Sequence, residues 1–149
     1  MAIKIIGEAI GVNNRIYAFG DLLGNKFSIV GLPNSVTIKE TPVLMSVTVV
    51  DSNGQNASID LIFFDENPAN TTFTNNASLD IDQADLHKII GVVRINSDDY
   101  VPFADNSAAS VYDIGLPLEN DTMYACLVSR DTPTYLTNGL SLILGLIGE

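Results

Sequence analysis

Tryptophan is absent from the 149 residues, and cysteine and histidine occur once each, as Cys126 and His87. A lone cysteine excludes an intramolecular disulfide and a thiolate zinc site, and it leaves nucleophilic thiol chemistry dependent on a single histidine. Cations are scarce too. The chain has 7 Lys plus Arg against 18 Asp plus Glu, for a formal charge of −11. Affinity for nucleic acid and for anionic membranes comes largely from cationic neutralisation of phosphate, so neither is expected as a partner. There is no P-loop, no Gly-x-Gly-x-x-Gly after a strand, no Gly-x-Ser-x-Gly elbow and no His-Glu-x-x-His. The signatures of the common nucleotide-binding, hydrolase and metallopeptidase classes are therefore missing, and no cofactor is implied.

Two further absences concern the chain ends. Met1–Ile10 holds one lysine and then a glutamate within an apolar run, unlike a secretory signal, so synthesis in the cytosol is expected. Gly139–Glu149 is hydrophobic but far shorter than the roughly 20 residues that cross a bilayer, so protein is expected to cover it.

What the sequence does contain is a core. A hydrophobic content of 46% with 17% charged residues belongs to a packed globular chain, and the length suits one domain over residues 1–149. Residues 1–41 are punctuated by glycine and read as an arm or edge region. Val43–Asp51 and Ser58–Phe64 are rich in β-branched and aromatic residues, and the Asn53-Gly54 turn between them predicts a hairpin. Phe27–Leu32, Ser35–Ile38, Ile89–Ile95, Tyr124–Ser129 and Leu140–Leu146 are further strand candidates, separated by Asn, Asp, Gly, Ser and Pro. Only residues 82–88 ask for a helix, with Asp82 as N-cap and Lys88 near the end. The fold class expected is all-β: an antiparallel two-layer or jelly-roll-like sandwich with one short helix.

The acidic groups allow a metal or a catalytic reading, and both are weak. Asp51–Gly54 resembles the opening of a calcium loop but lacks the later ligands and the terminal bidentate Glu. Asp80, Asp82, Asp85 and the pair Asp98, Asp99 read better as turn and cap residues. Asp60, Asp65 and Glu66 flank the strand Leu61–Phe64, where two carboxylates could face one another in glycosidase fashion. Carboxylates at strand ends are more often solvated, and no tryptophan is present to stack a sugar. Tyr17, Tyr100, Tyr112, Tyr124 and Tyr135 remain as stacking surfaces. His87 lies in the short polar helix, where a capping role is expected. Cys126, in an apolar strand, reads as a buried thiol. No catalytic, cofactor-binding or metal residue is assigned, and the chain is expected not to be an enzyme.

Seven segments carry a resemblance: Ser46–Asp51, Asp60–Pro68, Phe73–Leu86, Ile89–Val93, Gly115–Leu118, Val128–Tyr135 and Gly139–Leu146. In order, they resemble small virion structural proteins of tailed bacteriophages, over roughly the last two-thirds of the chain. The resemblance implies a capsid decoration (cement) protein or the base of a head fibre. Such a protein sits on the virion surface with the major capsid protein as partner, commonly as a homotrimer, and has no chemical step. Candidate contact surfaces are Ile3–Ile6 and the apolar C-terminal strand. The competing expectation is a carbohydrate- or receptor-binding β module of a head or tail fibre. A flat or edge patch holding the termini favours the first, and a concave aromatic pocket favours the second.

Overall fold

The spacing of apolar residues sends alternate side chains of each strand to one face, and two such faces close on each other. The computed structural model describes residues 2–29, 42–120 and 122–148, with side chains from Ile5 onward. Twelve strands are present among them. They are β1 (Ala2–Ile10), β2 (Arg15–Ile16), β3 (Leu22–Ile29), β4 (Val43–Asp51), β5 (Ile59–Phe64) and β6 (Ile89–Ile95), then β7 (Tyr100–Pro102), β8 (Ser107–Val111), β9 (Leu116–Pro117), β10 (Met123–Ser129), β11 (Thr134–Tyr135) and β12 (Leu140–Gly148). The larger sheet runs β1-β12-β4-β8-β7 with β9 also on β4, the smaller sheet β3-β10-β5-β6, and β2 pairs β11.

The strands of five or more residues, taken in chain order, are β1, β3, β4, β5, β6, β8, β10 and β12. Within this series the first pairs the last, β3 pairs β10, β4 pairs β8 and β5 pairs β6, all antiparallel. This nesting of outer pairs around inner ones is what a long hairpin gives when it is rolled into two layers, the jelly-roll arrangement. Residues 2–29 belong to this roll, and both of their long strands are sheet edges: β1 on the larger sheet and β3 on the smaller.

The core lies between the layers. Leu142, Leu144 and Leu146 of β12 and Val47 and Val49 of β4 meet Leu61 and Phe63 of β5 and Ala125 and Leu127 of β10. A second, smaller cluster lies on the outer side of the smaller sheet, where Leu22, Ile62, Phe64, Cys126 and Val128 are covered by Phe73, Leu79 and Ile81. All six residues of β5 are buried: Ile59, Leu61 and Phe63 face the core between the layers, Ile62 and Phe64 belong to the outer cluster, and Asp60 lies under two arginines.

Sequence and structure part company between β4 and β5. The expected hairpin does not form: β4 pairs β12, β8 and β9, whereas β5 pairs β10 and β6. The cause is Asp51. Its carboxylate accepts the backbone N–H groups of Asn53, Gln55 and Asn56 at 2.9, 2.7 and 3.0 Å, which winds the chain around the side chain and directs it to the opposite layer. The helix expected at 82–88 forms as a 3-10 helix, Gln83–Lys88, with the Asp82 carboxylate accepting from Ala84 N. The expected strand Ser35–Ile38 lies outside the described residues, as does the end of Phe27–Leu32 beyond Ile29.

Candidate functional site

The outer face of the larger sheet is fixed by register. Opposed residues in an antiparallel pair share a face, so Ile5, Gly7 and Ala9 of β1 lie beside Gly145, Ile143 and Ser141 of β12. These in turn lie beside Ser46, Thr48 and Val50 of β4, then Ser110 and Ala108 of β8, and Val101 of β7. None of these positions is charged, in a chain whose formal charge is −11. Most are small. The Thr48 and Ser110 hydroxyls bond each other at 2.8 Å across the strand pair, and a Cβ added at Gly7 would meet nothing within 4 Å. Ile5, Ile143 and Val101 stand above this floor, at 64%, 38% and 60% exposure. The candidate contact strands from the sequence are thus neighbours, β1 at the edge and β12 beside it, although the side chains of Ile3 and Lys4 are not among those described.

The opposite side of the molecule is concave. The 65–88 connection covers only part of the smaller sheet, and its hub is Asp85. That buried carboxylate accepts from Thr71 Oγ1 at 2.6 Å, Asn70 N at 3.0 Å and Lys88 Nζ at 2.9 Å. Burial pushes Asp85 upward, but the bonds from Thr71 and Lys88 outweigh it and hold the group at about 2, below the ordinary 3.8. The folded state therefore binds this proton less readily than the unfolded chain. Its contribution is complete above about pH 4 and is lost as pH falls through 2. Asp85→Asn should flatten the loss of stability over that window in denaturant titrations, while leaving its neutral-pH dependence unchanged.

Beyond the connection, Asp60 is buried on the exposed half of the sheet and gathers two guanidinium groups: Arg94 Nε and Nη2 at 2.8 and 3.2 Å, and Arg130 Nε at 2.7 Å. Burial raises the Asp60 pKa, the two arginines more than reverse this, and the net shift is downward. Arg130 also lies over the Phe19 ring at 5.3 Å. A cleft of about 550 Å³ opens here between Phe19 and Leu86, floored by Ile62 and Val128. A second hollow of about 350 Å³ shares Phe19 and Arg130 and reaches Arg94.

The remaining candidates are dispersed. Asp60 and Asp65 are five residues apart along an extended strand, roughly 16 Å, beyond the separation at which two carboxylates share one glycosidic bond, and Asp60 is committed to arginine. Asp51 is buried and filled by backbone donors, Asp82 caps the 3-10 helix, Asp80 is exposed, and Asp99 Oδ2 accepts from Asn96 N. No group of three or more His, Cys, Asp or Glu side chains is arranged to hold a metal ion among the described residues. His87 is exposed in the last turn of the helix. Tyr17, Tyr100 and Tyr135 are buried, Tyr124 packs into the smaller cluster, and only Tyr112 is well exposed, at 70%. Sequence reading missed Phe19, Arg94 and Arg130. The two arginines are far apart in the chain, and only the pairing of β5 with both β6 and β10 brings them to one carboxylate.

Cys126 faces the covered side of β10, and burial pushes its thiol up to about 12. Iodoacetamide should leave it unmodified in the native protein at neutral pH and label it fully in denaturant. Rapid native labelling would mean that the 65–88 connection opens readily.

A scan against protein-family models finds no match to this sequence, and a search of curated proteins finds none either.

Proposed function

We propose that this chain is a non-enzymatic virion protein of a tailed phage, a decoration (cement) protein that docks on the outside of the capsid shell and stabilises it. The observation that carries the reading is the uncharged, flat outer face of the larger sheet, which includes both terminal strands. An acidic surface opposes contact where the charges lie, and a patch free of charge is where desolvation costs least. Five strands of this length cover roughly 500 Å², below the roughly 800 Å² that each partner contributes to a stable interface. One copy alone would hold weakly, so the reading includes a homotrimer whose linked contacts with the major capsid protein multiply.

The jelly roll itself serves both capsid and lectin proteins, so the fold does not decide between docking and sugar binding. The receptor- or carbohydrate-binding reading needs a cleft walled by aromatic rings, and Phe19 is the one exposed aromatic at the concave site. Light scattering followed by co-sedimentation with undecorated phage shells tests the proposal. A defined oligomer that saturates shells at a fixed ratio is expected, and a monomer that stays in the supernatant would overturn it.

A further inference from the structure

The cleft beside Asp60 joins features that a merely structural ion pair does not need. Asp60 is buried, yet Arg94 is 65% and Arg130 33% exposed, so the carboxylate pins each guanidinium by one edge while the rest faces solvent. Arg130 uses only Nε on Asp60, and its two terminal nitrogens have no hydrogen-bond partner among the described residues. Beside them Phe19, Leu86 and Val92 are 67%, 50% and 55% exposed. Such large apolar groups next to oriented donors are the ordinary composition of a binding cleft, and a volume of about 550 Å³ is within the usual range.

We infer that this cleft binds an extended acidic protein segment, with one carboxylate received by Arg94 and Arg130 and an adjoining apolar side chain laid on Ile62 and Val128 between Phe19 and Leu86. Charge selects the class of ligand. Two guanidinium groups meet the one carboxylate of Asp60, Asp131 accepts from Ser58 N beside the smaller hollow, and Asp80 lines the larger one, so the site has donors to spare but little net positive charge. That balance suits a monoanionic carboxylate better than a phosphate. The floor selects further. Ile62, Val128 and Leu86 give an apolar side chain a surface to lie on beside the donors, and the neutral polar side chains of the lining are Ser78, Ser58 and Asn96, which suits a peptide that carries both an apolar and a carboxylate side chain. The cleft and the flat face lie on opposite outer sides of the two layers, so a chain docked by one face presents the other outward.

The test is an NMR titration of the full-length ¹⁵N-labelled protein with acetyl-Leu-Glu-Leu-amide, read at the arginine Nε–Hε signals and the Phe19 and Val92 amides. Saturable shifts with a Kd of about 1 mM are expected, with at least a roughly tenfold weakening for the Leu-Gln-Leu peptide and for Arg130→Gln. Phe19→Ser, on an exposed side chain, supplies a variant whose folding is not in question: losing the ring shifts the Arg130 Nε–Hε signal of the free protein, and the variant should bind the peptide more weakly while its unfolding transition matches the parent's. Equal shifts from the glutamine peptide, no shift at these signals, or saturation by glucuronate but not by the peptide would each overturn the inference.

Discussion

Replacing Asp51 with alanine is expected to cost about 3 kcal/mol of folding stability and to lower the thermal midpoint by about 10 °C. The side chain is fully buried and accepts three backbone N–H groups from the turn that follows it. Alanine leaves those donors facing an apolar methyl group, and the turn must open to hydrate them. The turn also holds more than itself. Asn53 Oδ1 accepts from Leu136 N, and Gln55 Oε1 accepts from Thr134 N, so the strand pair β2–β11 hangs on the same five residues. Asp51→Asn should fall between the two. Its oxygen can stay toward Gln55 and Asn56, giving up only the bond from Asn53. Urea denaturation of the parent and both variants checks the order, and an alanine variant as stable as the parent would sink the account of how the chain crosses between layers.

The same residue explains what could be read from the sequence. Strands whose identity rests on local composition are found where expected: Val43–Asp51 and Ile89–Ile95 match β4 and β6, and Leu140–Leu146 extends only to Gly148. β-branched residues and flanking turn residues act within a few positions, so they are visible in one dimension. Pairing is not. Asn53-Gly54 carries a hairpin signal, and Gly54 does adopt a left-handed φ of 60°. The seven residues between β4 and β5 leave room for Asp51 to capture the turn, however, and the chain arches to the other sheet. The short strands β2, β7, β9 and β11 have too little sequence to carry a period. The flat face could not be foreseen either. That Ile5, Ile143, Thr48, Ser110 and Val101 share a surface depends on the registers of four ladders. Asp60 was visible as an acid beside a strand but not as an arginine hub, because its partners come from residues 34 and 70 positions away.

Placing one charge on the flat face should abolish shell binding while sparing the fold. Ile143 projects from the centre of that face at 38% exposure, flanked by Thr48 of β4 and Gly7 of β1. Ile143→Glu would bury an unpaired carboxylate against the capsid. An interface that gains nothing to neutralise it loses at least about tenfold in affinity for each contact, as for other desolvated unpaired charges. If the bound unit is a trimer, three linked contacts multiply, and the apparent affinity falls by up to about a thousandfold. In the free protein the same carboxylate can turn to water, so the stability cost is about 1 kcal/mol. Ile5→Glu, at 64% exposure on the edge strand, repeats the experiment with still less cost to folding. Phe19→Ser, on the opposite side of the molecule, serves as the control and should sediment with undecorated shells as the parent does. If both glutamate variants bind shells like the parent while Phe19→Ser does not, the docking surface is the concave side, and the uncharged sheet must be explained by contact between copies of the chain.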